Sequence, residues 1–399
     1  MKNSYFKTFT QRYGYFFEWY YILVVLGYML TLAAKAMRPG IFATLLLFAV
    51  TAEQLLTGGH RLNYINALVL SYIGYNLLSV IWLRLSGLPI SVFLGEFAVS
   101  ILPIAFFFAG RACRERLGPF YDKFVIAVLI VGISGIILYI WAPQFYIDYS
   151  FDNLFISKAD APTMRVRMNS TIGCTLLAYL GTAGMMAGAY FLAQKKVIKG
   201  VSYIALCLVT TIMSNQRSAL VSAGLVLIFI NYLIFFRLHL LDKKYFTAEL
   251  ICMAVLFFLL CILNMDIILK FWWRLISLPT AVSERSEQWV AAVNNMYSTW
   301  FGNGLGANGH RALGIEGTHV IADGGLVKLY CEEGILGFSL FIYILILTIR
   351  KGLSDIRQYY VELGIIAVTL LQSIGSNVIA FQLATPIFWF AAGRIHEDS

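Results

Sequence analysis

Apolar stretches of roughly 18 residues or more recur along the whole chain, each long enough to cross a hydrocarbon core about 30 Å thick as a helix. They fall at 16–36, 41–57, 64–83, 88–110, 121–141, 169–193, 198–214, 218–236, 246–268, 325–349, 359–376 and 378–394. The sequence therefore predicts an all-α polytopic membrane protein, a single embedded domain over 1–399 with about twelve transmembrane helices. Charged residues make up only 13% of the chain, about half of what a soluble domain carries. No segment is polar enough to stand as a separate soluble domain.

Loop charge sets the expected orientation. Lys2, Lys7 and Arg12 precede the first apolar run. Ala34-Lys35-Ala36 has the small-residue form of a cleavage site, but the long run and long basic leader favour a retained first helix. With the N-terminus inside, eighteen of the 30 basic residues fall in short cytoplasmic loops, as the positive-inside rule requires. Both termini are then cytoplasmic. The net charge of +9 is accounted for by these loops and needs no nucleic-acid partner. Trp82, Trp141, Trp272 and Trp273 fall near the outer interface, where indoles anchor. The six cysteines form no CxxC pair, so neither a zinc site nor a disulfide framework is indicated, and no cofactor is expected.

Two outer loops are long, 142–168 and 269–324. They hold Lys158, Arg165, Arg167, Lys270, Arg274, Arg285 and Arg311, with Lys328 just beyond. Basic residues should be scarce on that side, so their clustering asks for an anion. In the second loop Ser283 can cap a helix whose first turn holds Glu284 and Glu287. That helix is expected to run to Gly302, with Arg285 and Trp289 on one face. Gly304-Leu-Gly-Ala-Asn-Gly309 formally matches a dinucleotide fingerprint, but no strand precedes it. A turn that lets backbone approach a ligand or another helix is the better reading.

Arg285-x-x-x-Trp289, Gly302-Asn-Gly-Leu-Gly306 and Leu329-Tyr-Cys-Glu-Glu-Gly-Ile-Leu-Gly337, with Asn215-Gln-Arg217-Ser-Ala at an outer helix junction, together resemble the bacterial O-antigen polymerase and ligase family. The resemblance covers about 200–390 by motif. It implies an inverting, metal-independent membrane glycosyltransferase of the all-helical GT-C type in the bacterial inner membrane, with its site on the periplasmic side. Donor and acceptor would be undecaprenyl-diphosphate-linked glycans, and partners would include membrane lipids and a polysaccharide chain-length regulator. Thr318-His319-Val-Ile-Ala-Asp323-Gly-Gly resembles polymerases more than ligases, which carry a His-Asn-type pair at this place. The ligase, which passes the glycan to lipid A–core, is the near alternative. A lipid-linked oligosaccharide flippase is the alternative of another class, disfavoured by the lack of paired interrupted segments in the sequence.

Such chemistry needs fixed cations for a diphosphate leaving group and one base for the acceptor hydroxyl. Candidate diphosphate ligands are Arg217, Arg285, Arg165, Arg167 and Arg311. Structural roles compete: Arg217 could cap the carbonyl end of the helix near 198–214, Arg285 could pair with Glu284 or Glu287, and Arg165 and Arg167 could bind lipid headgroups. Candidate bases are His319, Asp323 and Glu333. His319 and Asp323 would share a face if the segment were already helical. Against this, His319 could be an ordinary surface residue, Asp323 an N-cap, and Glu333 a carboxylate that holds an arginine. Lys328 and Glu332 have the spacing of an i, i+4 ion pair, and Glu53 and Glu96 read as interhelical partners.

Overall fold

The computed structural model describes residues 17–27, 63–112, 116–141, 167–237 and 278–397, with isolated positions between those stretches. Among the described residues all regular structure is helical. In chain order the helices are α1 (Phe17–Gly27), α2 (Tyr64–Leu85), α3 (Ile90–Ala112), α4 (Leu117–Trp141), α5 (Cys174–Ala193), α6 (Val197–Ser214), α7 (Arg217–Arg237), α8 (Leu278–Asn294), α9 (Gly325–Ser354), α10 (Ile356–Gly375) and α11 (Ala384–Ile395). Seven of these, α2 to α7 and α9, are long and apolar enough to cross a membrane. The apolar runs at 41–57 and 246–268 lie outside the described residues.

Exposure supports a lipid surround. Only 28% of the α6 window is buried although its hydropathy is 1.7, and Ile198, Ile228 and Leu85 lie on the surface. A soluble protein rarely exposes apolar patches on this scale.

The centre is α5, 89% buried over its apolar window. Gly181, Gly184 and Gly188 face α6 so closely that an added Cβ would strike Thr211, the Cys207 sulfur and Ile204. Small residues at such spacing let membrane helices approach backbone to backbone. The same device joins α3 to α11: a Cβ on Gly110 would strike the Phe390 carbonyl, and one on Gly393 the Phe107 carbonyl.

Helix direction alternates, so the stretches 86–89, 167–173, 215–216, 295–324 and 376–383 lie at one end, the loop face. The opposite end gathers basic residues. Arg116 pairs there with Glu18 at 2.6 Å, Lys199 with Asp122 at 2.5 Å, and Arg111 donates to Asn66.

The structure departs from the expected elements in three places. First, Ser283 lies inside α8 rather than capping it, and the helix ends at Asn294 instead of Gly302. Second, residues 378–380 form a separate short turn before α11. Third, α9 is interrupted at Gly334 (φ 63°, ψ −170°), and α3 carries a π turn at Phe97–Ile101 followed by a tight turn at Leu102–Ile104. The sequence reading anticipated no such pair of interrupted helices.

The break in α9 is closed by the 298–304 segment. Asn303 N donates to Cys331 O and Gly304 N to Glu332 O, both at 2.9 Å, while Ile335 N donates to Thr299 O and Leu336 N to Trp300 O. Tyr75 Oη donates to Glu333 O at 2.5 Å. Backbone groups freed inside a membrane must find partners in the protein, and here one loop supplies nearly all of them.

Candidate active site at the loop face

Three glycines carry the loop into the bundle. Gly302, Gly304 and Gly306 have φ of 77°, 90° and 89°, a region costly for any residue with a Cβ. Their missing side chains admit the Glu332 carbonyl, the Leu83 backbone and the Val92 carbonyl respectively. The glycine-rich turn therefore serves close approach to α2, α3 and α9. Leu305 N donates to Ser79 Oγ at 3.2 Å, and Asn308 N to Glu332 Oε1 at 3.1 Å.

The loop brings the candidate residues into two clusters. In the outer cluster Arg285 Nη2 donates to Asp323 Oδ2 at 2.7 Å, with side chains 28% and 35% exposed. One helical turn further along α8, Trp289 Nε1 donates to Asp323 O at 2.6 Å. The expected shared face of Arg285 and Trp289 is thus present, and it grips Asp323. A Cβ placed on Gly375, at the end of α10, would lie 3.5 Å from Arg285 Nη1 and 3.4 Å from Ser218 Cβ. The Arg285 guanidinium consequently stands beside the first turn of α7, which opens with Arg217. Met168 N donates to Met213 O, so the chain just after Arg167 joins the neighbouring end of α6. Asn377 Nδ2 holds the carbonyls of Ile321 and Ala322 at 2.7 and 3.1 Å, and Gly325 N donates to Ser376 O. Arg165 lies outside the described residues.

The inner cluster is buried. Lys328 Nζ donates to Glu96 Oε1 at 2.6 Å and to Glu332 Oε2 at 3.1 Å, while Ser100 Oγ donates to Glu96 Oε1 at 2.8 Å. The i, i+4 pair and the interhelical role of Glu96 are both present. Arg311 packs over Gly95 of α3 and acts electrostatically on Glu96. It therefore closes the inner cluster instead of joining the Arg285 corner.

Several expected roles are corrected. His319 and Asp323 do not share a helical face, because 318–323 is irregular backbone tied down by Ile321 N→Asn308 O and Thr318 Oγ1→Ala312 O. His319 meets the site through its backbone carbonyl, which accepts from Asn308 Nδ2 at 2.7 Å. Asp323 is not an N-cap: Gly324 holds that position, and no side chain caps the helix. Arg285 pairs with Asp323 rather than with Glu284 or Glu287. Glu333 holds no arginine; its Oε1 accepts from Tyr72 Oη at 2.6 Å. The end of α6 is closed by Asn215 in the left-handed region (φ 49°).

Sequence reasoning missed His310. It opens a short turn beside the inner cluster and senses Lys328, Glu96 and Asp323 electrostatically. Desolvation and the Lys328 ammonium push its imidazole below the ordinary value, which keeps the ring neutral near pH 7 and able to accept a proton. Asn377 was missed too, although the polar Ser376-Asn377 step between two apolar runs was visible. Among the described residues no group of three or more His, Cys, Asp or Glu could hold a metal ion. No family model matches the chain, and no curated protein matches it either.

Proposed function

We propose that this chain is a polysaccharide polymerase of the bacterial inner membrane, built on a GT-C-like scaffold, which joins undecaprenyl-diphosphate-linked repeats at the periplasmic face. The observation that carries the reading is the convergence of Arg285, Asp323 and the Arg217–Ser218 turn at one corner of the loop face. These residues come from three separate parts of the chain. Each of the four motifs that carried the family resemblance contributes to this corner, to the loop behind it or to the α9 break that the loop closes.

In this reading Arg217 and Arg285 hold the diphosphate, whose charge grows as it leaves. Guanidinium forks suit that task because they stay charged and bind phosphate oxygens in pairs. Asp323 holds Arg285 in place until the donor arrives. It then takes the proton of the acceptor hydroxyl as the hydroxyl oxygen bonds to the anomeric carbon. The electron pair of the broken sugar–phosphate bond leaves with the lipid diphosphate, and the anomeric centre inverts. The basic opposite end then faces the cytoplasm, as the positive-inside rule requires.

A second reading has one observation in its favour. The interrupted helices α3 and α9 face each other across buried ionisable residues, a pattern common in transporters, which suits a flippase for lipid-linked sugars. Both readings, and the ligase, are separated by the glycan of a deletion strain complemented with wild type, Arg217→Ala, Arg285→Ala or Asp323→Asn. A polymerase predicts single-repeat products from the deletion strain and from each variant at normal protein abundance. Long unattached polymer in the deletion strain indicates a ligase, and lipid-linked repeats trapped on the cytoplasmic side indicate a flippase. Full-length polymer from Arg285→Ala removes the diphosphate assignment.

A further inference from the structure

Glu333 plays no part in the mechanism above, yet it is fully buried immediately before the break in α9. It lines a cavity of about 20 Å³, with Tyr72, Ser100, Lys328, Glu332 and Trp389 among the other walls. That is room for about one water molecule. Tyr72 Oη donates to its Oε1, but its Oε2 accepts from no donor. The Asn76 amide of α2 hydrogen-bonds to the same carboxyl group. A buried carboxylate oxygen left without a donor is rare in protein interiors, and a proton on Oε2 removes the charge that makes it costly.

The charge balance points the same way. Lys328 ion-pairs with Glu96 and Glu332, and Arg311 acts on Glu96 as well; among the described residues no salt bridge reaches Glu333. The other groups around it are neutral or already engaged: Tyr72, Tyr75 and Asn76 from α2, Ser100 from α3, Asn308 from the loop and Trp389 from α11. A lone charge at membrane depth is expensive and usually marks a proton or ion site.

We propose that Glu333 is a proton-binding site, with one proton on its otherwise unpaired Oε2 in this closed arrangement. Removing that proton leaves an uncompensated charge beside the Gly334 break. Water or a cation must then enter, and the 298–304 segment that seals the break must loosen. The site is thus a proton-linked latch on the loop that carries Gly302–Gly306. It stands whether the outer corner transfers sugars or accompanies transport.

The test uses the full-length protein in lipid nanodiscs and infrared spectroscopy of the protonated-carboxyl C=O stretch at neutral pH, in H2O and in D2O. The expected result is a D2O-sensitive band in wild type, retained in Glu332→Gln and lost in Glu333→Gln. Glu333→Gln should unfold at the wild-type temperature, since its amide supplies the same donor. Asn76→Ala keeps the proton but removes a hydrogen-bond partner of the same carboxyl group, so the band should shift in frequency; this arm stands even if Glu333→Gln fails to fold. A spectrum without the band, or a band unmoved in Asn76→Ala, overturns the proposal. So does wild-type protein stabilised by sodium chloride over choline chloride with Glu333→Gln unaffected, which would assign the site to a metal cation.

Discussion

Gly304→Ala tests how the loop is seated. At φ 90° an alanine occupies the left-handed region, which costs about 1–2 kcal/mol for a residue with a Cβ. Its methyl would also lie 2.5 Å from Leu83 Cβ and 2.8 Å from Leu83 Cα and N. Backbone atoms of a helix cannot swing aside, so α2 or the loop must shift, at a further cost of about 1–3 kcal/mol. Gly314 is the internal control: its φ is 82° and a Cβ there meets nothing within 4 Å. Gly314→Ala should therefore carry the backbone term alone. Thermal unfolding of both variants in detergent gives the difference, expected at about 1–3 kcal/mol against Gly304→Ala. Amide exchange should rise at 299–304 and 331–336 in Gly304→Ala only. Equal stabilities for the two variants, with unchanged exchange, would refute close seating of the loop on α2.

Three further outcomes follow from the clusters. Lys328→Met strands two buried carboxylates and should cost about 3–5 kcal/mol by thermal unfolding; Lys328→Met combined with Glu96→Gln and Glu332→Gln should recover most of it, and no recovery would argue against a coupled triad. The folded state holds His310 below the 6.5 expected in the unfolded chain, so below that pH the unfolded chain binds more protons and stability falls as pH drops. As the pH falls below 6.5, wild type should lose stability faster than His310→Asn, and parallel curves would contradict this. On the proposed polymerase function, polymer formation by the purified protein should survive excess chelator, and loss restored by a divalent ion would show that arginines do not carry the diphosphate alone.

Much of the fold was legible because lipid imposes one simple demand. Runs such as 64–83, 198–214 and 218–236 match α2, α6 and α7 to within a few residues, since length and apolarity alone define a span. The Arg285–Trp289 face and the Lys328–Glu332 pair were legible for the same local reason, helical spacing. What failed was non-local. Glu96 reaches Lys328 across 232 positions, and nothing in either neighbourhood names the other. The His319–Asp323 pairing rested on helical backbone, but Asn308 and Ala312 claim the atoms of that stretch. The break at Gly334 looked like one more small residue in an apolar run, because the partners that make it tolerable lie thirty residues earlier in the chain.

That break also dictates an order of biosynthesis. Translation delivers α2 and α3 first, then the 298–304 segment, and α9 last. When α9 enters the bilayer, its interrupted turn exposes carbonyls to hydrocarbon unless the loop already rests on α2. The loop must fold back and wait at its seat on α2 before its helix arrives. Assembly of this half of the molecule is therefore stepwise, with the loop seated first and α9 closing onto it last. A nascent chain halted before residue 325 would already hold the loop on its seat, with only the helix that completes it still to come.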